Sequence, residues 1–309
     1  MRSPLEDHAA ARPAAAARAD CAWCGAPLAA GERLAGRTRC RSCRVATTQP
    51  WPRAEELERA YAGWYRPQEG RFSGPGDALL RRSRAWLARR LLRIAPDGPV
   101  LDVGAGEGTL VQALRGAGRE ALGLERRAHG EHVVDRDISE LDRGWAAVVF
   151  WHSLEHLPDP ARALREAARL LAPGGVLVVA LPNADSLQAR VFGDRWFALD
   201  IPRHLVHVPA GALLERVREL GLSVERVSYL RGGQVVFGWL HGLVGSLRGR
   251  PDLYDAIRRR SARRRPLSAP RRAALLAAAT LLLPLAAACA GVEVALRRGG
   301  SVYLEARRG

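Results

Sequence analysis

The sequence has 309 residues, of which 48 are basic and 32 acidic, so the formal net charge is +16. This length allows one full α/β core with additions of subdomain size. All 48 basic residues are arginine. Such a compositional bias excludes the total charge as evidence for a nucleic-acid or membrane partner, so only local clusters of charge are informative.

Residues 1–20 are rich in alanine and arginine, and they contain neither a long apolar core nor a small-residue cleavage site. They are therefore predicted to form a disordered tail rather than a signal peptide, and the protein is predicted to be cytoplasmic.

Four of the five cysteines form two pairs, Cys21-x-x-Cys24 and Cys40-x-x-Cys43, separated by fifteen residues. This spacing is typical of a closed tetrahedral thiolate site, which predicts a structural zinc ion in segment 21–48. Two disulfides are the alternative, which a reducing cytoplasm disfavours. Whether the segment also recognises an acceptor or a partner stays open.

Residues 49–98 are predicted to form a helical cap. Acidic and aromatic residues recur at helical spacing in Arg53–Tyr65, and Asp77–Ile94 has the pattern of a long amphipathic helix. Together these helices are expected to cover a bound cofactor.

An apolar run that ends at Asp102 leads into Gly104–Gly108, where every second residue is glycine. Glycine permits a sharp turn and a close approach to a ligand, and the predicted helix Thr109–Arg115 directs its free N–H groups at the same place. A second predicted strand ends at Glu125, an acid typical of contacts with ribose hydroxyls. The pattern lacks the G-x-G-x-x-G of pyrophosphate binders, so it predicts a different nucleoside cofactor.

The segment from Asp102 to Gly108 resembles motif I of the class I S-adenosylmethionine-dependent methyltransferases. The resemblance continues in that family's order through Glu125, Asp137, residues 150–160 and residues 171–179. It implies S-adenosylmethionine as cofactor and a Rossmann-like α/β sheet with strand order 3-2-1-4-5-7-6. The residues expected to contact the cofactor are Asp102, Gly104, Gly106, Gly108, Glu125, Asp137, Ile138 and His152.

Within that set, Asp137 is expected near the adenine amino group and Ile138 against the ring. The core is predicted to comprise residues 99–232 and 300–309. Its strands are expected near residues 99–103, 120–125, 131–135, 146–151, 175–181, 222–229 and 301–307. The cysteine segment, the linker Gln49-Pro-Trp-Pro52 and the aromatic helix also resemble a bacterial subgroup of the family associated with surface-glycan and secondary-metabolite assembly.

The acceptor is expected beyond the fourth core strand, where His152, Glu155 and His156 follow one another. A histidine titrates near neutral pH, so His156 or His152 is the candidate for the base that removes an acceptor proton. In ubiquinone-type O-methyltransferases the related block reads Glu-x-x-Glu-His and can hold a divalent metal, but the first position here is His152. The alternative is that Glu155 and His156 form a helix-start hydrogen-bond device.

Farther along, His204 and His207 form either a second base site or a brace for a loop.

Residues 233–299 are predicted to be a hydrophobic helical insertion between the last two strands. Val235–Leu247 and Ala273–Leu296 are apolar, with Glu293 the only charged residue, and the residues between them include ten arginines and two aspartates in 248–272. A single membrane crossing is excluded because the flanking strands pair in one compartment. The insertion is expected to lie at an anionic membrane surface or to form a soluble lid.

These features predict an S-adenosylmethionine-dependent methyltransferase that acts on a small-molecule, sugar or lipid-linked acceptor, by O-methylation at the inner face of the cell membrane. An RNA methyltransferase is the first alternative, suggested by zinc and basic charge. The His152–His156 block lacks the Asp/Asn-Pro-Pro-aromatic motif of base-amine methylation. Carbon methylation of pyrimidines requires a nucleophilic cysteine in the core, whereas Cys289 lies in the insertion. The second alternative is a non-catalytic adaptor that binds the cofactor.

Overall fold

The computed structural model describes residues 17–61, 72, 76–126, 128, 130–230, 233–263 and 266–309. Its strands are β1 (Glu32–Leu34), β2 (Arg37–Arg39), β3 (Ala46–Thr48), β4 (Val100–Val103), β5 (Ala121–Leu124), β6 (Val133–Val134), β7 (Trp145–Trp151), β8 (Leu171–Pro182), β9 (Val206–His207), β10 (Leu222–Ser228) and β11 (Ser301–Arg308). Its α-helices are α1 (Ala54–Ala60), α2 (Gly76–Ile94), α3 (Thr109–Arg115), α4 (Pro160–Leu170), α5 (Leu187–Phe192), α6 (Ala210–Glu219), α7 (Gly233–Gly245), α8 (Leu253–Ile257) and α9 (Ala269–Ala295).

Seven strands form the central sheet in the order β10-β11-β8-β7-β4-β5-β6. Numbered along the core, this is the predicted order 3-2-1-4-5-7-6, which is confirmed. Strand β11 runs antiparallel to β8 and β10, and the other neighbours pair in parallel. The apolar run Ala146–Phe150 is fully buried, as expected for a parallel strand covered on both faces.

Helices cover both faces of this sheet. On one face α2 and α3 contribute Leu87, Leu91 and Leu110 to a buried cluster. On the other, α4 and α6 contribute Leu164 and Leu213. The sheet therefore lies between two helical layers, and its parallel strands present their carboxyl ends along one edge, where ligands bind in folds of this kind.

The cysteine segment forms a second sheet, in the order β1-β2-β3-β9, which sequence analysis did not anticipate. Residues 1–16 of the predicted tail lie outside the described residues. Arg18, predicted to belong to that tail, exchanges two hydrogen bonds with Gln49. Ala19 and Asp20 also pair with the cysteine segment, because Leu28 N–H donates to the carbonyl oxygen of Ala19 and Asp20 forms a β-bridge with Pro27.

Both predicted cap helices are present. The first, predicted as Arg53–Tyr65, is α1, and its last predicted residues lie outside the described residues. The second is α2, where Arg90 makes a bidentate ion pair of 2.7–2.8 Å with the buried carboxylate of Glu305 on β11. This pair fixes the long cap helix to the central sheet.

The insertion contains α7, α8 and α9, and it packs against the core. Helix α9 turns Ala279, Ala286, Ala290 and Glu293 inward. The Glu293 carboxylate is fully buried and accepts hydrogen bonds from the backbone and side chain of Gln188 and from the indole of Trp239, each at 2.9 Å. The only charge that sequence analysis found in this apolar segment thus attaches α9 to the protein.

Candidate active site

The glycine loop follows β4 at the carboxyl edge of the sheet, as predicted. Gly104, Gly106 and Gly108 have φ angles of +81°, +61° and +71°, a region that favours glycine. A Cβ atom at Gly104 would lie 2.3 Å from the Cβ of Ser153. The loop therefore lies directly against the segment that follows β7, and only glycine allows this approach.

Two carboxylates border the glycine loop. The carboxylate of Glu125, at the end of β5, accepts a hydrogen bond of 2.7 Å from the N–H of Gly106. Asp102 on β4 is buried, and this burial, together with the charge of Glu125, raises its pKa to about 6 against the opposing effect of Arg84. Backbone N–H groups at a helix start and an acid at the neighbouring strand end are the groups that a nucleoside cofactor requires.

Asp137 and Ile138 follow β6. The Asp137 carboxylate accepts hydrogen bonds from the N–H and hydroxyl of Ser139 and from Arg162 at 2.9 Å. The hydrogen bonds with Ser139 lower the pKa of Asp137. Ile138 is buried. Both residues lie at the same sheet edge as the glycine loop, because they follow a strand parallel to β5.

The three histidines predicted as candidate bases lie together around Glu155. The Nδ1 atom of His152 and the Nε2 atom of His204 lie 3.5 Å and 4.0 Å from the Oε1 atom of Glu155. The rings of His156 and His204 have centroids 4.7 Å apart. His207 is farther along: its ring centroid lies 6.4 Å from that of His204, and its Nε2 lies 3.3 Å from the Thr48 hydroxyl.

Backbone carbonyl groups fix two of these rings. The Nδ1 atom of His156 lies 2.9 Å from the carbonyl oxygen of Arg203, and the Nδ1 atom of His204 lies 2.8 Å from that of Ala198. A carbonyl oxygen only accepts, so each Nδ1 carries the proton and each Nε2 keeps a lone pair when the ring is neutral. The Tyr61 hydroxyl also lies 2.9 Å from the Nδ1 of His156.

Glu155 is 2% exposed, yet neither carboxylate oxygen has a hydrogen-bond partner within the described part of the chain. Burial raises its pKa, but the contact with His152 and the charges of His156 and His204 outweigh burial and lower the pKa to about 2. Burial, with the neighbouring charge of His204, lowers the pKa of His156 to about 4. At neutral pH the centre of the cluster is therefore a carboxylate beside a neutral His156 ring.

This arrangement bears on two alternatives left by the sequence. Glu155 caps no backbone group among the described residues, so it is not the helix-start hydrogen-bond device considered above. The ligand atoms of Glu155, His156 and His204 lie within 4.8 Å of one another, a donor set that suits a divalent metal. His207 is buried and contacts Thr48, which supports the brace rather than a second base.

Sequence analysis gave Glu155 no part in proton transfer and did not place Tyr61 or Thr48 near the site. The signal for Glu155 was present, because His152 and His156 flank it directly after a buried strand. Tyr61 and Thr48 carried no such signal, since they are about one hundred residues or more from their partners along the chain.

The four predicted zinc ligands come together. The Sγ atoms of Cys21 and Cys43 lie 3.6 Å apart, and those of Cys24 and Cys40 lie 3.7 Å apart. These separations exceed a disulfide bond of about 2.05 Å. They match the edge of about 3.8 Å that follows from a tetrahedron with bonds of about 2.3 Å. The cysteines therefore fit zinc.

Known proteins resemble parts of this chain. A family model described as a methyltransferase domain matches residues 78–227. A ubiquinone biosynthesis O-methyltransferase from Thiobacillus denitrificans is 30% identical over 153 residues, which cover 42% of this chain and 66% of that protein. One from Xylella fastidiosa is 28% identical over 207 residues, which cover 58% of this chain and 82% of that protein. The chain thus spans slightly less than two thirds of the first of these relatives.

Among solved structures, a SAM-dependent methyltransferase from Archaeoglobus fulgidus aligns with a TM-score of 0.46 and 18% identity, covering 74% of this chain and 94% of the other. The family model spans the glycine loop, the neighbouring strand end and the histidine cluster. This part of the chain is a methyltransferase domain of the class I S-adenosylmethionine-dependent family.

Proposed function

We propose that the protein transfers the methyl group of S-adenosylmethionine to a hydroxyl oxygen of a small-molecule acceptor. One observation carries this proposal: the Glu155–histidine cluster lies against the glycine loop, with the Ser153 hydroxyl donating to the carbonyl oxygen of Val103. A proton acceptor therefore lies next to the place where the family binds its cofactor. The relatives named above as ubiquinone biosynthesis O-methyltransferases support oxygen as the atom methylated.

The cofactor is held by the groups at the sheet edge. Gly104, Gly106 and Gly108 provide the close backbone approach, and Glu125 accepts hydrogen bonds from the ribose. Asp137 and Ile138 would contact the adenine, and Asp102 lies on β4, which leads into the glycine loop. His152 borders the same space, since it directly follows β7. The bound cofactor supplies a methyl group on a sulfonium sulfur, which is an excellent leaving group, so the protein contributes mainly alignment.

The acceptor hydroxyl must lose a proton as its oxygen bonds to the methyl carbon and the sulfur–carbon bond breaks. His152 receives this proton. Its Nδ1 faces the ionised Glu155, and its buried Nε2 has no hydrogen-bond partner among the described residues. A base oriented by a carboxylate through its other ring nitrogen is an effective arrangement for proton transfer.

His156 and His204 also lie next to Glu155. Their Nδ1 atoms are held by backbone carbonyl groups, so both rings are fixed in orientation. The low pKa of His156 makes it a weak base at neutral pH. We assign these two rings to the positioning of Glu155 and of the acceptor. In a variant of this assignment, Glu155, His156 and His204 hold a divalent metal.

The cysteine segment binds one zinc ion through Cys21, Cys24, Cys40 and Cys43. All four protein ligands are thiolates, so no coordination position is left for a substrate and the metal is structural. The Sγ separations of 3.6 and 3.7 Å support this assignment.

The acceptor is lipid-linked or otherwise apolar, a sugar being the nearest alternative, and transfer occurs at the inner face of the cell membrane. Helix α9 is the one helix among the described residues that is long and apolar enough to cross a membrane, and only 17% of its most apolar window is buried. Its outer face exposes Leu281, Leu285, Val292 and Leu296 at 50–81%. A solvated helix usually places its large apolar residues inward.

Helix α9 lies along the surface of the protein rather than across a bilayer. Near its start, Arg272 donates to the carbonyl oxygen of Ala256, and near its end Glu293 is buried against Gln188. Arginines precede the exposed apolar face at 271 and 272 and follow it at 297 and 298. Basic residues that flank an apolar face suit an interface with anionic lipid and disfavour contact with a second, equally basic copy of the chain.

Isothermal titration of the purified protein with S-adenosylmethionine and S-adenosylhomocysteine tests cofactor binding first. Micromolar affinity for both is expected. S-Adenosylhomocysteine formation is then measured with catechols, polyprenylated phenols and sugars, where His152→Asn is expected to lower kcat about 100-fold or more. His132→Asn is the matched control, because His132 also has a positive φ angle but lies outside the cluster.

Absence of binding to folded, zinc-loaded protein would contradict the cofactor assignment. Turnover that His152→Asn leaves unchanged would remove His152 as the proton acceptor while leaving methyl transfer intact.

A further inference from the structure

The cysteine segment is joined to the acceptor side of the site by a β-ladder. Strand β3 begins three residues after Cys43, and it pairs antiparallel with β9, so that Ala46 lies opposite His207 and Thr47 opposite Val206. Strand β9 begins two residues after His204. Two elements separated by about 150 residues in sequence therefore share one small sheet, and the last zinc ligand lies next to it.

Thr48, at the end of β3, contacts both histidines of that region. Its hydroxyl donates a hydrogen bond of 2.7 Å to the carbonyl oxygen of His204 and lies 3.3 Å from the Nε2 of His207. The Thr48 N–H donates to the carbonyl oxygen of Leu205 at 3.0 Å. Thr48 is 1% exposed, so these contacts are shielded from water.

The same stretch of backbone reaches the proton-transfer cluster. The N–H of Leu205 donates a hydrogen bond of 2.8 Å to the carbonyl oxygen of Glu155. Leu205 is therefore held on one side by Thr48 and on the other by Glu155. A continuous set of backbone hydrogen bonds runs from β3 through residues 204–207 to Glu155.

The strands of the segment are short, and packing against the core supplements them. Strands β1, β2 and β3 contain three residues each, which is too short for an independent sheet. Cys21 and Cys40 are buried in the main core cluster with Val206. A bound metal that closes the loop between the two cysteine pairs therefore adds a constraint on where β3 lies, beside the core packing and the pairing with β9.

We infer that metal binding at the four cysteines positions the acceptor-side histidines. Thr48 is the positioning residue through which metal binding acts on His204 and His207. This inference rests on the proposed zinc site. The cysteine segment is then a wall of the active site, and loss of its metal loosens residues 204–207 while the glycine loop, on the other side of β7, keeps its structure.

Hydrogen exchange of the full-length protein tests the inference, with metal content measured on the same samples. Removal of zinc by a chelator is expected to speed exchange of the 204–208 amides about tenfold or more, whereas the β4 amides and the affinity for S-adenosylhomocysteine stay unchanged. Unchanged protection of 204–208 in metal-free protein would overturn it. Purified protein that contains no zinc and takes none up would contradict the zinc site itself, independently of the methyltransferase assignment.

If chelation unfolds the whole protein, Thr48→Val tests the link between Thr48 and the two histidines. Valine preserves the shape of threonine and removes only the hydroxyl. With zinc retained, this variant is expected to shift the imidazole NMR signals of His204 and His207 and to leave those of His132 and the cofactor affinity unchanged. Thr48→Ser, which keeps the hydroxyl, is expected to restore the wild-type signals. Wild-type imidazole signals in Thr48→Val would overturn the inference.

Discussion

The Oε2 atom of Glu125 accepts a hydrogen bond of 2.7 Å from the backbone N–H of Gly106. This contact joins the end of β5 to the glycine loop after β4, across the boundary of two parallel strands. It holds the loop in a φ-positive conformation and fixes the carboxylate at the edge of the space that the loop encloses. One side chain therefore shapes the cofactor site and, in our assignment, also binds the ribose.

We expect Glu125→Ala to weaken S-adenosylmethionine binding about 10- to 100-fold, because hydrogen bonds to a charged group are lost both in the loop and to the ligand. Isothermal titration measures the effect. Glu120→Ala is the matched control, since Glu120 is exposed at the opposite end of the same strand. Equal affinity of the Glu125 variant and the wild type would remove Glu125 from the cofactor site.

Asp102 predicts a pH dependence of stability. Its pKa is raised from 3.8 to about 6, mainly by burial, so the folded state favours the protonated form. This stabilising contribution is complete below pH 3.8 and is lost as the pH rises through 6. The loss amounts to about 3 kcal/mol of unfolding free energy.

Asp102→Asn removes this titration, so we expect its unfolding free energy, relative to the wild type, to increase by about 2 kcal/mol between pH 4 and pH 7. Urea denaturation at both pH values measures the difference. Asp97→Asn is the control, because the Asp97 carboxylate is fully exposed and its only close cation is Arg119 at 4.0 Å within the described residues. A constant difference for Asp102→Asn would show that burial does not raise this pKa.

The central sheet and the cofactor loop were predictable because their signals are local. Buried parallel strands give unbroken apolar runs such as Ala146–Phe150, and the alternating glycines stand next to one of them. The second sheet was not predictable. Strand β9 has two residues and pairs Val206 with Thr47, so neither its length nor its neighbours along the chain indicate a strand.

The histidine cluster that we propose to face the acceptor was predicted in part, because only the order of its residues along the chain is a local signal. Sequence order placed His152, Glu155 and His156 after β7, but the directions of their side chains depend on a short helical turn and on the left-handed φ of +53° at His152. For Glu293, the sequence indicated the charge but not the direction of the side chain. The inward position of Glu293 depends on Gln188 and Trp239, which come from other helices.

Glu293 provides a test of how the insertion is held. We expect Glu293→Ala to lower the unfolding free energy by about 2–4 kcal/mol, because three buried donors on Gln188 and Trp239 lose their acceptor. Chemical denaturation followed by tryptophan fluorescence measures the loss. Val292→Ala, at the neighbouring exposed position, is expected to change the stability by less than about 0.5 kcal/mol. Equal effects of both changes would contradict inward anchoring at Glu293.

The surface assignment of α9 predicts binding to anionic vesicles. Arg258 does not take part, because it is fully buried with its guanidinium 5.3 Å from the Tyr254 ring. Four exposed arginines near α9 are suitable for replacement by glutamine: Arg248, Arg250, Arg260 and Arg271. The matched control replaces four exposed arginines elsewhere, with the same change in net charge: Arg41, Arg93, Arg115 and Arg165.

Sedimentation with phosphatidylglycerol-containing vesicles measures the partition, with pure phosphatidylcholine vesicles alongside. Each arginine near the surface contributes about 1 kcal/mol, so the first set is expected to weaken binding about 100-fold or more and the control set far less. Leu281→Gln with Leu285→Gln is expected to weaken binding to both kinds of vesicle, because it removes apolar contact rather than charge. Equal losses from the two arginine sets would show that binding depends on net charge and not on the surface near α9. Failure of the wild type to sediment with either vesicle would favour a soluble lid.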